Sequence, residues 1–423
     1  PRGAVEDVLI MRPSVHDIRT PLNLQRGAAV GTSSHRRRAQ LQTLQSDLRI
    51  EPLRGNVPTR IRKLREGQYD AIVLARAGIE RLALDLSDLH VHVLPVHQFV
   101  PAPAQGALAI QMRQKDARWK WVKEHLNDAD TLHSIGIERS VLRALEGGCL
   151  LPFGAHLEAN RLRTFLETPS GPRLSEIHID RNQRLEDYTR SALSRLTQPL
   201  QGTVFLSKSA GKWPVFEALA RGAGLQVVAQ PLIQIDVFAA PWPETPSDQD
   251  WLWLNSPSAA EAMIPLLNGF PGKIACAGKG TAAALSQLDN FEPQWVGNGN
   301  PEKTHADFST LLNASDSRVF VPHSDRSIER WSTLTTEGQT VAWPAYRTVL
   351  NPTTLPQYDV AVVTSPSQWE ALLQSTSTVS PIITLGSTTA EAVRATDSSI
   401  PIEMATDPSE WEVWLAVERA FDL

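Results

Sequence analysis

Several absences narrow this 423-residue sequence before any motif does. It has two cysteines, Cys149 and Cys276, too few for a disulfide framework. Such sparing use fits a reducing compartment, where a lone thiol serves packing or chemistry. No run of about 18 apolar residues occurs, so no transmembrane helix and no membrane partner are expected. There is no GxGxxG, no P-loop and no His/Cys/carboxylate cluster at metal-ligand spacing, which leaves nucleotide and metal chemistry without support. Residue 1 is Pro rather than Met, so the lack of a leader peptide carries little weight. What is present is ordinary for a globular chain: 42% hydrophobic and 21% charged residues, with a net charge of -5. The length suggests two to four domains.

The net charge hides an asymmetry. Residues 1–199 hold 29 Lys and Arg against 22 Asp and Glu, whereas residues 200–423 hold 12 against 24. Ten of the twelve Trp also lie in the second stretch. Two functional units joined near Thr197-Gln198-Pro199-Leu200-Gln201-Gly202 follow from this shift, because Pro and Gly interrupt periodic segments there.

In the basic half, Arg36, Arg37 and Arg38 follow Gly31-Thr32-Ser33-Ser34. A helix over about 34–45 is expected, with the serines as caps. A second helix is expected from about Pro58, after Leu53-Arg54-Gly55-Asn56-Val57. Tyr69–Ala75 reads as a buried strand by its apolar run, and the strand–helix–strand rhythm suggests a parallel α/β sheet. Two helix N-termini, each followed by arginines, suit a polyanion, since the planar guanidinium binds two oxygens at once. A solvated basic face is the plainer alternative. Nucleic acid is disfavoured: residues 31–65 contain no Phe, Tyr or Trp for bases to stack on. Further on, Leu145-Glu146-Gly147-Gly148-Cys149 places a lone Cys after two glycines. Such a Cys can be a nucleophile, an attachment point or a packed core residue.

Together, Val30–Arg37, Leu53–Arg60, Pro103-Ala104-Gln105-Gly106-Ala107-Leu108 and Leu145–Cys149 resemble porphobilinogen deaminase (hydroxymethylbilane synthase), in order and spacing. The resemblance covers about 3–199. It implies condensation of porphobilinogen into linear hydroxymethylbilane on a dipyrromethane cofactor, held by a thioether to Cys149. It also implies that Arg36, Arg37, Arg54 and Arg60, with Ser33 and Ser34, bind the carboxylates of cofactor and chain, and that Gln105 and Arg113 line the same region. The implied organisation is periplasmic-binding-protein-like: 1–98 as a second domain, 99–126 as a segment returning to a first domain, and 127–199 as the domain carrying the cofactor Cys. The family's His-Ser-x-Lys-Asp type motif, whose Asp is the acid/base, lies in a segment preceding the point where this chain begins. Val15-His16-Asp17 lacks its surrounding pattern. The chain as it stands is therefore expected to show little or no deaminase activity, and a strand near 106–113 is expected as an exposed edge.

The Trp-rich half contains an internal repeat. Trp251–Ser258 is followed by Ile274–Ala282, and Val360–Ser367 by Ile382–Ala390; Ser256 and Thr281 are matched by Ser365 and Thr389. Val204-Phe205-Leu206-Ser207 likewise pairs with Val319-Phe320-Val321-Pro322. Each unit reads as strand, Ser-Pro-Ser turn, helix, strand, Gly-x-x-Thr turn, helix, giving two similar α/β halves. Ligands of such sheets bind beyond the carboxyl ends of the strands, where these turns sit. The hydroxyls either meet anionic groups or simply cap helices. Cys276 lies in an apolar strand and reads as core. His323 reads equally as a pocket or a surface residue.

This repeat, with Trp343-Pro344-Ala345-Tyr346-Arg347-Thr348, resembles uroporphyrinogen-III synthase over about 202–423. The resemblance implies two flavodoxin-like or Rossmann-like α/β domains, one from 202–236 plus 349–423 and the other from 240–345, joined by a two-stranded linker. It implies cofactor-free cyclisation of hydroxymethylbilane, with loss of water and inversion of the last ring through a spiro intermediate. Tyr346 matches the tyrosine placed to assist the departing hydroxyl. Ser256, Thr281, Ser365, Thr388 and Thr389 match substrate contacts. The expected protein is a cytoplasmic tetrapyrrole-biosynthesis fusion acting on porphobilinogen and hydroxymethylbilane, with no nucleic-acid partner and an unassigned oligomeric state. The competing reading is a non-catalytic tetrapyrrole-binding module.

Overall fold

Short apolar runs set the strands, and turns rich in Ser, Gly and Pro end them. The computed structural model describes all residues except 147, 149, 181–182, 239–241, 286–290, 300, 313–316, 327–338, 376–380 and 422–423. The chain divides into two compact units. The first comprises Pro1–His16, Gln25–Gly202 and Pro214–Gln226; the second comprises Asp17–Leu24, Thr203–Trp213 and Val227–Leu423. The helix Pro214–Gly222 thus falls to the first unit, although it follows the joint expected near residue 200.

In the first unit, β1 (Asp7–Met11), β2 (Ala29–Gly31), β3 (Arg49–Glu51), β4 (Ala71–Ala75) and β5 (His90–Leu94) form one sheet in the order β3-β2-β4-β1-β5. β2 runs parallel to β3 and β4, but β1 is antiparallel to both β4 and β5. The sheet is therefore mixed, where the sequence rhythm alone suggests a parallel one. Helix His35–Leu44 starts on Ser34, whose side chain accepts from the Arg37 N–H. Helix Val57–Arg65 starts on Asn56, which accepts from Thr59. A second sheet is an antiparallel meander of β6 (Phe153–Glu158), β7 (Arg161–Thr168) and β8 (Gly171–His178). Its apolar face packs against helices Ala129–Ala144 and Leu185–Thr197 through Ile137, Val141, Leu162, Tyr188 and Leu196.

The strand expected near 106–113 does not form: residues 107–113 are irregular. A β-strand needs a ladder partner, and none of the described strands pairs with this stretch. Leu108 and Ile110 are left exposed instead.

The second unit holds two lobes, each built on a sheet. The first sheet is β10-β9-β17-β18-β19, from β9 (Thr203–Leu206), β10 (Gln226–Ala229), β17 (Val360–Val363), β18 (Ile382–Thr384) and β19 (Ile402–Met404). The second is β11-β16-β15-β12-β13-β14, from β11 (Ile233–Val237), β12 (Trp251–Leu254), β13 (Lys273–Cys276), β14 (Trp295–Val296), β15 (Val319–Ser324) and β16 (Thr340–Leu350). The repeat maps strand for strand: β9, β17, β18 and β19 take the places of β15, β12, β13 and β14. The chain leaves the first lobe along β11 and re-enters it from β16. Those two strands pair antiparallel, Ile233 opposite Leu350.

Candidate functional site

Of the sequence-predicted arginines, Arg36 and Arg37 stand at the start of helix His35–Leu44, and they do not both face outward. Arg36 is buried, and its Nη1 lies 2.8 Å from Asp7 Oδ2. Arg37 Nη2 lies 2.7 Å from Asp7 Oδ1. The amide of Gln105 donates to Asp7 Oδ1 at 3.2 Å and to the Val5 carbonyl at 2.7 Å. Asp7 has no solvent exposure at all. Burial would raise its carboxyl pKa, but Arg36 and Arg37 outweigh that and hold it below the ordinary value. Asp7 was invisible to motif reading, because it sits in an apolar strand whose period says only that it is buried.

Arg54 is exposed on the turn beside Asn56, and Arg60 is half-buried one helical turn on. That turn requires Gly55, whose φ is +122°. The Arg60 guanidinium is pulled below its ordinary pKa by burial and by the nearby charge of Arg37. Two cations that repel each other without a shared acid suit an incoming anion. Ser33 bridges to this turn: its hydroxyl donates to the Leu53 carbonyl at 2.9 Å and accepts from the Leu53 N–H at 3.1 Å. Ser33, Ser34, Arg37, Arg54 and Arg60 thus share one edge, with Arg36 and Gln105 behind it. Arg113 is exposed in the irregular stretch after residue 106 and is not among the groups around Asp7. Cys149 lies outside the described residues.

In the second unit the predicted hydroxyls stand at the carboxyl ends of parallel strands. Ser256 follows β12 and accepts from the Ala259 N–H at 3.1 Å, capping helix Pro257–Leu267. Ser365 follows β17 and accepts from the Gln368 N–H at 3.3 Å, at the start of helix Pro366–Ser375. Thr281 and Thr389 are buried in the first turns of helices Lys279–Ala284 and Ser387–Thr396, and Thr388 is exposed.

Tyr346 owes its place to a break in pairing. Along β15 and β16, His323 is opposite Pro344, but Ser324 is opposite Tyr346. Pro344 has no N–H to offer the ladder, and the register slips there. Ala345 and Tyr346 are consequently buried in succession, against strict alternation. Tyr346 belongs to a buried cluster that also holds Leu254, Met263 and Cys276, and its hydroxyl bonds the Ser256 side chain. Burial raises the Tyr346 pKa above its ordinary value, against the Ser256 hydrogen bond, so the phenol stays protonated. Asp325 lies alongside: it accepts from the Ser324 hydroxyl at 3.0 Å, and its N–H donates to the Tyr346 carbonyl at 3.1 Å. His323 is buried, its Nδ1 2.9 Å from the Ser324 carbonyl, and so belongs to neither a free surface nor an open pocket.

Two further groups carry no sequence signal. Gln368 is buried and ties two strand ends together, accepting from the Ser207 and Thr364 hydroxyls at 2.7 and 2.8 Å. Lys208, just past β9, holds its ammonium 5.4 Å from the centre of the Trp213 ring. Burial lowers its pKa, partly offset by Glu261.

Residues 1–120 match the family model described as porphobilinogen deaminase, dipyromethane cofactor binding domain. Residues 214–404 match the model described as uroporphyrinogen-III synthase HemD. An N-terminal part similar to porphobilinogen deaminase is thus followed by a part similar to uroporphyrinogen-III synthase. The deaminase part is 42% identical over 179 residues to a porphobilinogen deaminase of Rubrobacter xylanophilus, covering 41% of this chain and 57% of that one. It is 46% identical over 162 residues to a probable porphobilinogen deaminase of Archaeoglobus fulgidus, covering 38% and 53%. The chain spans about half the length of the curated relatives it matches. For the synthase part, a solved uroporphyrinogen-III synthetase of Helicobacter pylori 26695 is 16% identical, with a TM-score of 0.36, covering 52% of this chain and 100% of that one. Among the described residues no helix is long and apolar enough to cross a membrane, and no group of three or more His, Cys, Asp or Glu could hold a metal ion.

Proposed function

We propose that this chain acts in tetrapyrrole biosynthesis and that its synthase part cyclises hydroxymethylbilane to uroporphyrinogen III. The observation that carries this reading is the buried, protonated Tyr346 hydroxyl set against Ser256 at the carboxyl end of β12. Left alone, the linear substrate closes without inversion, to isomer I. The protein's work is therefore to hold one conformer and to ease departure of the terminal hydroxyl. As the C–O bond breaks, Tyr346 donates its proton to the leaving oxygen, and water departs. Ser256, Ser365, Thr281, Thr388 and Thr389, together with the helix N-termini they flank, take the substrate's carboxylates.

The deaminase part is proposed to hold a dipyrromethane, with Cys149 as its thioether anchor. The residues present fit such a group: Arg37, Arg54 and Arg60 form a cationic edge in which Arg37 and Arg60 repel one another, and Ser33 and Ser34 stand beside it. When bound, that group offers the pyrrole to which porphobilinogen units are added. Arg36 and Gln105 support the edge from behind through Asp7, and Arg113 is a candidate contact of the growing chain. The substrates are small polycarboxylates, and we place the chain in the cytoplasm.

The test is an isomer assay. Hydroxymethylbilane is generated with a separate deaminase, this chain is added, and the oxidised products are separated into isomers I and III. Predominant isomer III is the expected result. Isomer I alone, from a sample shown to be folded, would refute the synthase reading and leave a tetrapyrrole-binding module.

A further inference from the structure

The repeat in the synthase part extends beyond its Ser and Thr turns to a pair of ion pairs. Lys212, in the loop after β9, places Nζ 3.0 Å from Oε1 of Glu261, on the helix that follows β12. Arg326, in the loop after β15, places Nη1 2.7 Å from Oε2 of Glu370, on the helix that follows β17. Each pair therefore joins one lobe to the other, and the two run in opposite senses. The first lobe gives the base at one point and the acid at the other. The sequence positions correspond as well. Glu261 lies five residues after Ser256, and Glu370 five residues after Ser365. β9 and β17 are parallel neighbours in one sheet, as β15 and β12 are in the other. Lys212 and Arg326 lie in loops past the carboxyl ends of strands, and Glu261 and Glu370 lie in the helices that begin at Ser256 and Ser365.

We propose that these two ion pairs are a two-point clasp that sets the closed arrangement of the lobes. One isolated surface ion pair would be a weak argument, because such pairs contribute little. Two pairs at repeat-equivalent positions, each crossing between the lobes, restrain both separation and twist. Resting on the synthase reading, the consequence is that the clasp brings the hydroxyls of both lobes onto one bilane, making Lys212, Glu261, Arg326 and Glu370 positioning residues. Each pair is about half exposed, so opening remains accessible for entry and release.

The test measures the distance between the lobes without substrate. Spin labels are placed at Asn268→Cys in one lobe and Glu391→Cys in the other, in the full chain with Cys149→Ser, and read by double electron–electron resonance. Glu261→Gln with Glu370→Gln should raise the ratio of long to short distances by about two- to thirtyfold, as expected for loss of two exposed pairs. Restoring one pair in reverse, with Lys212→Glu and Glu261→Lys, should return the distribution of the otherwise unaltered chain. A distribution unmoved by removing both pairs would overturn the proposal, and so would a reversed pair as open as the neutral one. In the isomer assay the neutral variant should yield a smaller share of isomer III. If the distances shift as expected but no variant yields isomer III, the clasp stands and the synthase reading falls.

Discussion

Replacing Asp7 with Asn would remove one charge and strand two. In the folded chain Asp7 has no exposure, and the side chains of Arg36 and Arg37 are only 5% and 12% exposed. Both guanidiniums share that one carboxylate. Asn preserves the shape but leaves buried cations uncompensated, which costs about 3–5 kcal/mol. For a unit of this size that corresponds to roughly 6–20 °C in Tm. Scanning calorimetry should show the loss in the transition of the first unit and leave that of the second in place. Asp88→Asn is the comparison. Its partner Arg65 is 2.6 Å away, but the pair is 42% and 51% exposed, so solvent screens it and its loss should shift Tm little. The sign with pH follows from the direction of the Asp7 shift. A carboxyl held below its ordinary value of 3.8 stabilises the fold above that value, and the contribution disappears as pH falls through the folded pKa. The gap between the parent chain and Asp7→Asn should therefore narrow in strong acid. A Tm shift no larger than that of Asp88→Asn would refute the reasoning.

Other expectations follow from the same geometry. Tyr346→Phe should lower isomer-III turnover by about 10²-fold while the circular dichroism stays unchanged; unaltered turnover would remove Tyr346 from the chemistry. Because burial raises the Tyr346 pKa, absorbance at alkaline pH should show this phenol ionising after the exposed tyrosine range, and the stability it adds should be lost only as pH rises through its folded pKa. Cys276 is buried, with its thiol pushed up to about 12, so iodoacetamide should modify it only in denaturant; its labelling in the native chain, read by peptide mass, would contradict that burial. Gly106 has φ +83°, and a Cβ there would meet the Gly3 carbonyl oxygen at 2.6 Å, whereas at Gly27, with φ +69°, it would meet nothing. Gly27→Ala should cost about 1–2 kcal/mol from backbone strain alone, and Gly106→Ala distinctly more in the same denaturation assay.

Sequence pattern located those strands and helices that carry their own local signature. Ser33 and Ser34 announce one helix start, and Tyr69–Ala75 announces a buried strand by composition. The paired lobes were legible through the repeat, whose Ser and Thr turns fall where the strands end. What stayed hidden depends on partners distant in sequence. Nothing near Asp7 reveals that it pairs with two arginines some thirty positions on. The direction of β1 was equally unreadable, since an apolar run is the same in a parallel or an antiparallel ladder. The failed strand at 106–113 shows the converse: the resemblance implies a strand, but the ladder forms only where another strand offers its edge. Tyr346 was found through resemblance. Its burial beside Ala345 depends on the register slip at Pro344, which local pattern leaves unsaid.

The threading of the chain through the two lobes has a consequence for synthesis. The second lobe is an uninterrupted stretch, but the first must wait for its second half. β9 finds β17 only after the intervening lobe has been made. The Thr203 N–H, for example, donates to Asp359 Oδ2, 156 positions away, at 2.8 Å. At the ribosome the apolar Val204-Phe205-Leu206 segment emerges long before its partner and must be kept from other hydrophobic surfaces. Contacts so distant along the chain close slowly, and chains caught in that interval are prone to aggregate. The inserted lobe should thus be the early-folding element, and the docking of β9 beside β17 the late, rate-limiting event.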